Sequence, residues 1–332
     1  MKAAYYERKG PAHQVLQFGD QPKPEPQAGE VRVHVRVSAV NPSDVKSRGI
    51  HRGVLTMPFP VIIPHQDGAG VIDAVGVGVN PARIGERVWI YEAVLGRPFG
   101  TCAQYTTVPD RNAVRLPDHV DFTVGACMGI PAMTAHRCVL ADGPVTGKTV
   151  LVQGGSGAVG FYAVQIAKLE GARVIATVSR PEQTAQALLA GADHVINYMT
   201  DDVVRRVRDI TGEESGLDRV IEVAFGANLG TDVSLLKTGG VIASYASDAV
   251  PEPLLAFRSM LAKNLTLHFV LVYAMSRQAH EEAAIYINDA LQADKFKHQI
   301  FGRFGFALDQ IVSAHEATES MSQIGKVLID LE

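Results

Sequence analysis

The alternation of apolar and polar positions changes character along the chain. From Val31 to Val37, apolar and polar residues alternate with period two, which predicts a strand with one buried and one wet face. Before it, Gln21 to Pro26 carries a proline at every second position and predicts an extended connector, not a central strand. Val61–Ile63, Gly70–Val75, Arg87–Tyr91 and Gly100–Val108 predict further short strands punctuated by glycine, a pattern of small, strongly curved β structure. From about residue 120 the period lengthens: Phe122–Met128 and Met133–Leu140 read as helices. Strands and helices then alternate: Val150–Gln153, Arg173–Val178, His194–Ile196, Asp218–Val223, Gly240–Tyr245 and Leu265–Val272 as strands, with helices at Pro181–Leu189, Asp201–Thr211 and Asn228–Leu236 between them. That alternation predicts a parallel, doubly wound sheet with right-handed crossovers. Ser276–Leu291 and Leu308–Met321 read as amphipathic helices, and Lys326–Leu331 as a closing strand. The expected architecture is α/β: a Rossmann domain over 123–274, and a β-rich domain made of 1–122 and 275–332.

The chemistry concentrates where the strand Val150–Gln153 meets a glycine cluster, Gly154, Gly155, Gly157 and Gly160. Val159, Ala163, Val164, Ile166 and Ala167 then recur at helical spacing. Gly155, Gly157 and Gly160 match G-x-G-x-x-G between a predicted strand and a predicted helix, the context that gives the motif meaning. A turn without Cβ atoms lets backbone approach a pyrophosphate, and the N–H groups of the helix start face its charge.

Composition narrows the partners. The 332 residues are 47% hydrophobic and 20% charged, with a net charge of −4 and no strongly basic block, which argues against nucleic acid as the main partner. No apolar run reaches membrane-spanning length, and the first residues lack the apolar core of a signal peptide. Cys102, Cys127 and Cys138 are too scattered for a disulfide framework or a cysteine-rich metal site, which makes a cytoplasmic location the expectation.

Several segments together resemble the medium-chain dehydrogenase/reductase superfamily, and within it the zinc-independent quinone oxidoreductases that include ζ-crystallin. They are Ala39–Asp44, Asp67–Gly76, Gly85–Val88, Gly129–Ala135, Gly147–Lys168, Gly171–Ile175, Gly191–Tyr198, Ala314–Ala317 and Gly325–Leu328. The β-rich domain would then be of the GroES-like type. One departure lies inside the turn, where Ala158 replaces a usual glycine. Zinc-dependent relatives hold their metal with two cysteines and a histidine. The matching positions here are Asn41, Gln66 and the neighbourhood of Ile130, which do not make the donor set of a tetrahedral zinc site, so no metal is expected. A zinc-free site suits direct hydride transfer to an electron-poor acceptor such as a quinone or an α,β-unsaturated carbonyl.

The second Rossmann strand ends in Thr177-Val178-Ser179-Arg180, without the acid that binds NAD ribose hydroxyls; Ser179 and Arg180 instead suit a 2′-phosphate, so NADPH is the expected cofactor. The resemblance adds Tyr198 at the adenosine phosphate, and implies that Asn41 and Thr134 flank the nicotinamide. It places Gly155, Gly157, Ala158, Val159 and Gly160 at the pyrophosphate. Ser244, Tyr245, Phe269, Leu271 and Lys326 fall on the nicotinamide side. Relatives often carry a phosphate-binding lysine where this chain has Gln183. Lys46, His51 and Gln66 are the substrate-side candidates, and Lys46, Arg48 and His51 make their segment basic. The strand Leu265–Val272 is expected to pair with its copy in a homodimer. An enone or 2-enoyl thioester reductase, and a nucleotide-binding protein with little turnover, remain alternatives.

Overall fold

The computed structural model describes residues 1–50, 53–212, 216–320 and 324–331. The chain begins with β1 (Lys2–Tyr5), a short helix α1 (Ala12–Val15), β2 (Gln17–Asp20), the long β3 (Glu30–Val40) and α2 (Pro42–Arg48). Next come β4 (Asp67–Val75), β5 (Arg87–Ile90), β6 (Tyr105–Pro109), β7 (Ala113–Arg115) and α3 (Phe122–Gly125). Then follow α4 (Met133–Leu140), β8 (Thr149–Val152), α5 (Ala158–Leu169), β9 (Arg173–Val178), α6 (Pro181–Leu189), β10 (His194–Asn197) and α7 (Val203–Thr211). They continue with β11 (Leu217–Glu222), α8 (Phe225–Leu235), β12 (Leu236–Ser244), α9 (Phe257–Ala262), β13 (Thr266–Phe269) and α10 (Arg277–Gln292). The chain closes with β14 (Ile300–Gly305), α11 (Leu308–Ser320) and β15 (Lys326–Asp330). These elements form two compact units, one of Met1–Ile130 with Ala284–Glu332 and one of Pro131–Ala283.

The first unit is organised around β3. Its inward positions Val31, Val33, Val35 and Val37 are buried, as the period-two pattern requires. Beside β4 along its length, β3 pairs with β6 through Glu30–His34 and with β15 through Val37–Val40. The chain's last strand therefore lies next to the start of α2. The sheet order is β14-β15-β3-β4-β5-β7, with β6 also on β3.

In the second unit six parallel strands follow the order β10-β9-β8-β11-β12-β13. Numbered from β8, this is 3-2-1-4-5-6, the doubly wound dinucleotide-binding order. Val150, Leu151 and Val152 are fully buried, which is why this strand reads as a continuous apolar run. Helix α7 is capped by the Asp202 side chain, which accepts from Arg205 N at 3.0 Å.

Four expected elements differ. Of Gly100–Val108 only the second half is a strand, β6. Val61–Ile63 forms only isolated bridges, from Ile62 to Tyr6 and Ile63 to Phe99, because Pro60 and Pro64 flank it and Pro64 has no N–H to donate. Helix α3 stops at Gly125, and a wide turn over Met128–Ala132 takes Gly129 out of helical geometry. The expected long strand Leu265–Val272 is shorter: β13 covers only Thr266–Phe269, and Val272–Ala274 curls into a 3-10 turn.

Candidate functional site

In the second unit the glycine turn has the form that pyrophosphate binding requires. Gly154 takes φ +69°, a conformation few side chains tolerate. A Cβ on Gly155 would come within 2.6 Å of Ala176 Cβ on β9, and one on Gly160 would overlap the Gly154 carbonyl. These two glycines therefore serve the close packing of α5 on the sheet. Gly157 differs: it is exposed, it is the N-cap of α5, and having no side chain it cannot cap the helix itself. The first N–H groups of a 12-residue helix are thus left for an anion. Ala158 is the first helical residue and half-buried; its methyl fits helical backbone as well as any side chain does. Val159 is half-buried beside it.

A second corner forms where β9 and β10 end. Tyr198 N donates to Val178 O at 3.0 Å, which brings Tyr198, half exposed, next to Ser179 and Arg180. Gln183, in the first turn of α6, turns its Oε1 back into this corner. It accepts from Ser179 N (2.8 Å), Ser179 Oγ (3.0 Å) and Arg180 N (3.1 Å). Arg180 Nε lies 3.3 Å from Glu182 Oε1.

Beneath the glycine turn lies a buried polar chain. Gly154 N donates to Thr177 Oγ1 (3.1 Å), Thr177 Oγ1 to Gln153 Oε1 (2.7 Å), and Gln153 Nε2 to Asp232 Oδ1 (3.2 Å). Burial and the neighbouring Glu222 carboxyl push Asp232 well above the usual carboxylate range. Glu222 accepts from Ala224 N and, at 3.2 Å, from Asn228 Nδ2.

Thr134, at the start of α4, is buried, as is Ser244 at the end of β12. Tyr245 N donates to Glu222 O at 3.0 Å, and burial beside Cys138 and Glu222 raises its phenol well above 10. Phe269 and Leu271 are 70% and 59% exposed, and the Phe269 ring meets Phe225 edge-on at 5.5 Å.

In the first unit Asn41 is the N-cap of α2 and only 2% exposed. Its backbone N–H donates to Asp44 Oδ2 (2.8 Å), its Nδ2 donates to Asp67 Oδ2 (2.8 Å), and its Oδ1 accepts from Lys326 Nζ. Lys326 Nζ is also 3.5 Å from Asp67 Oδ2, and Ile130 N donates to both Asp67 oxygens at 3.0–3.1 Å. A Cβ at position 129 would strike the Asp67 carboxyl, so Gly129 makes the seat for it. Pairing of β15 with β3 is what carries Lys326 to Asn41. Burial raises the Asp67 carboxyl; Lys326 and its hydrogen bonds oppose the rise. Burial and the nearby Asp67 charge push Asp44 up to about 7.

Next to this cluster, His65 at φ +81° links Ser38 Oγ (2.8 Å from Nδ1) and His315 (3.0 Å, Nε2 to Nε2). Ser38 reaches Thr101 (2.7 Å), which donates to Asp67 O (2.6 Å). Burial and nearby cationic groups depress His65 to about 3 and keep both rings neutral. Gln66 is buried and holds the loop after β5, accepting from Val94 N through Oε1 (3.1 Å) and from Ala93 N through its carbonyl.

The basic segment needs one correction. Arg48 is fully buried and donates to Gly10 O and Glu319, so it braces the fold and adds no charge to an open pocket. Lys46 is half-buried on α2, and His51 lies outside the described residues. Among the described residues no three His, Cys, Asp or Glu side chains are grouped to hold a metal ion. Sequence reasoning passed over Asp67, Asp44, His315, Asp232 and Glu222 as site residues. The available signal was a carboxyl group at the first or last position of a strand, as at Asp67 and Glu222.

Two family models match: an alcohol dehydrogenase GroES-like domain over residues 27–118, and a zinc-binding dehydrogenase over residues 158–287. Residues 27–118 lie in the β-rich unit and 158–287 contain β9 to β13 of the parallel sheet, so the fold is a Rossmann domain with a GroES-like domain. The chain is 30% identical to human quinone oxidoreductase over 295 residues, 88% of this chain and 86% of the relative. A quinone oxidoreductase from Thermus thermophilus, whose structure is also described in complex with NADPH, superposes with a TM-score of 0.80 at 27% identity over the full length of both chains. A 2-haloacrylate reductase superposes with a TM-score of 0.84 at 25% identity, again over both full lengths. With the glycine turn on the 3-2-1-4-5-6 sheet, and with this identity to a quinone oxidoreductase over most of both chains, the chain belongs to the quinone oxidoreductase family of the medium-chain dehydrogenase/reductase superfamily.

Proposed function

We propose that this protein is an NADPH-dependent, zinc-independent oxidoreductase that delivers hydride to a quinone or a related electron-poor acceptor. The observation that carries the reading is the uncapped start of α5 at exposed Gly157, backed by the tightly packed Gly155 and Gly160. The NADPH complex of the Thermus relative supports the choice of cofactor. When bound, the dihydronicotinamide supplies a hydride, and a solvent proton completes the two-electron reduction of the acceptor.

The protein's part is to bind and orient. Backbone N–H groups of Ala158 and Val159 hold the pyrophosphate beside Gly157, whose own N–H donates to Gly154 O at 2.9 Å, and Ser179, Arg180 and Tyr198 hold the adenosine end. Asn41 is fixed by three partners, as a positioning residue must be. Thr134, Ser244, Tyr245, Phe269, Leu271 and Lys326 complete the cofactor side of this reading; Lys46 and Gln66 are its acceptor-side candidates, with His51, which lies outside the described residues, as the third. The likeness to a 2-haloacrylate reductase favours a second acceptor class, α,β-unsaturated carbonyl compounds, on the same machinery. Consumption of NADPH and NADH against quinones, enones and 2-enoyl thioesters tests the reading. Binding of NADPH with no consumption across the panel contradicts it.

The same proposal includes a homodimer through Leu265–Val272. Among the described residues β13 ends the sheet, and Phe269 and Leu271 are exposed apolar residues at that edge. The expected sedimentation profile at micromolar concentration is dimeric; a monomer contradicts the assignment. Among the described residues no helix is long and apolar enough to cross a membrane.

A further inference from the structure

We propose that Gln183 sets the cofactor preference, by occupying with its own carbonyl oxygen the hydrogen-bond donors that a ribose 2′-phosphate would use. The inference rests on the NADPH reading above and deepens it. Ser179 N, Ser179 Oγ and Arg180 N converge on one oxygen atom at 2.8–3.1 Å. An uncharged amide oxygen has two lone pairs, so three donors aimed at it make a nest better matched to an anionic oxygen. The charge of the corner is also engaged: Arg180 Nε sits 3.3 Å from Glu182. NADPH must therefore displace Gln183 and share Arg180 with Glu182. NADH, with a hydroxyl in place of the phosphate, leaves the Gln183 bonds intact. Gln183 thus narrows the discrimination between the two cofactors that Ser179 and Arg180 would otherwise give. It does this as the residue that closes the first turn of α6 onto the end of β9, with no contact to the reacting atoms.

The test is titration calorimetry of the full-length protein with NADPH, NADH, 2′,5′-ADP and 5′-AMP, for the parent and two variants. Gln183→Met keeps length and removes the acceptor; the ratio of NADPH to NADH affinity is expected to rise roughly fivefold to tenfold, as fits one or two recovered hydrogen bonds. The 2′,5′-ADP affinity rises in parallel and 5′-AMP does not change. Gln183→Glu keeps an acceptor for all three donors and adds a negative charge, so the same ratio is expected to fall at least tenfold. An unchanged ratio in either variant, or a fall in Gln183→Met, overturns the inference. Failure of the parent to bind either dinucleotide overturns the NADPH reading and this inference with it, whereas parent binding with flat ratios overturns the inference alone.

Discussion

The glycine turn of the second unit and the Asp67 cluster of the first are built on opposite principles. The turn works by what is missing: no Cβ at Gly155, Gly157 and Gly160, and no side chain at the N-cap of α5. The groups it offers a ligand are backbone N–H groups at an exposed helix start. The cluster works by what is present. Lys326, Asn41, Asp67 and Asp44 are nearly solvent-free, and each depends on the others for its charge or its hydrogen bonds. A backbone site tolerates change at its rim and fails by steric clash; a buried charge network fails when a single partner leaves. The two regions should therefore respond differently to substitution and to pH.

The largest effect is expected for Lys326→Met. It leaves Asp67 buried without its cation, and unfolding in urea should show a loss of about 3–5 kcal/mol at neutral pH. The loss should shrink at pH 5, where Asp67 can take a proton. A loss of the same size at both pH values would mean that Lys326 acts only by packing. Next comes Gly160→Ala, whose methyl meets the Gly154 carbonyl. Overpacking of this kind costs about 1–3 kcal/mol, and NADPH affinity should fall at least tenfold, whereas stability should depend on pH as in the parent.

The pH response separates the two regions further. Asp44 holds its proton up to about pH 7 in the folded protein and only to about 3.8 otherwise. The folded state carries the extra proton between those values, so this group's contribution falls as pH rises from 4 to 7. His65 works the other way. It titrates near 3 when folded against an ordinary 6.5, so its contribution is lost as pH falls from 6.5 towards 3. Asp44→Asn and His65→Asn should thus tilt the stability–pH curve in opposite directions, by on the order of 1–3 kcal/mol across the window. Asparagine is chosen at 65 because it tolerates the positive φ. Matching slopes in both variants would break the assignment. The smallest effect is expected for Ala158→Gly, which restores the usual glycine; it should lower stability by about 0.5–1 kcal/mol and leave NADPH affinity within twofold.

The same contrast explains what could be read from the sequence. A glycine turn is local: its strand, its glycines and its helix all lie between Thr149 and Leu169, and their sterics are visible in order. The corner at Ser179, Arg180 and Tyr198 was legible as residue types, but the bonds from Gln183 to Ser179 and Arg180 need coordinates. The Asp67 cluster joins residues 41, 44, 67 and 326, and only the β15–β3 pairing brings the last to the others. Arg48 looked like surface charge because its seat against Gly10 and Glu319 depends on distant segments. Elements failed for similar reasons. β14, with Gly302, Arg303 and Gly305, lacks a strand pattern of its own and forms by pairing with β15. The apolar run Leu265–Val272 reads as one strand, yet β12 offers partners only for its first part before the chain curls at Val272.

The central claim is that a dinucleotide held at the glycine turn gives up hydride to an electron-poor acceptor without a metal. A steady-state assay of NADPH consumption with a quinone, run with and without a strong chelator, tests it most directly. The expected result is one NADPH consumed per quinone reduced, at a rate the chelator does not change. NADPH binding with no consumption across quinones and enones, or activity abolished by the chelator and restored by zinc, would contradict it.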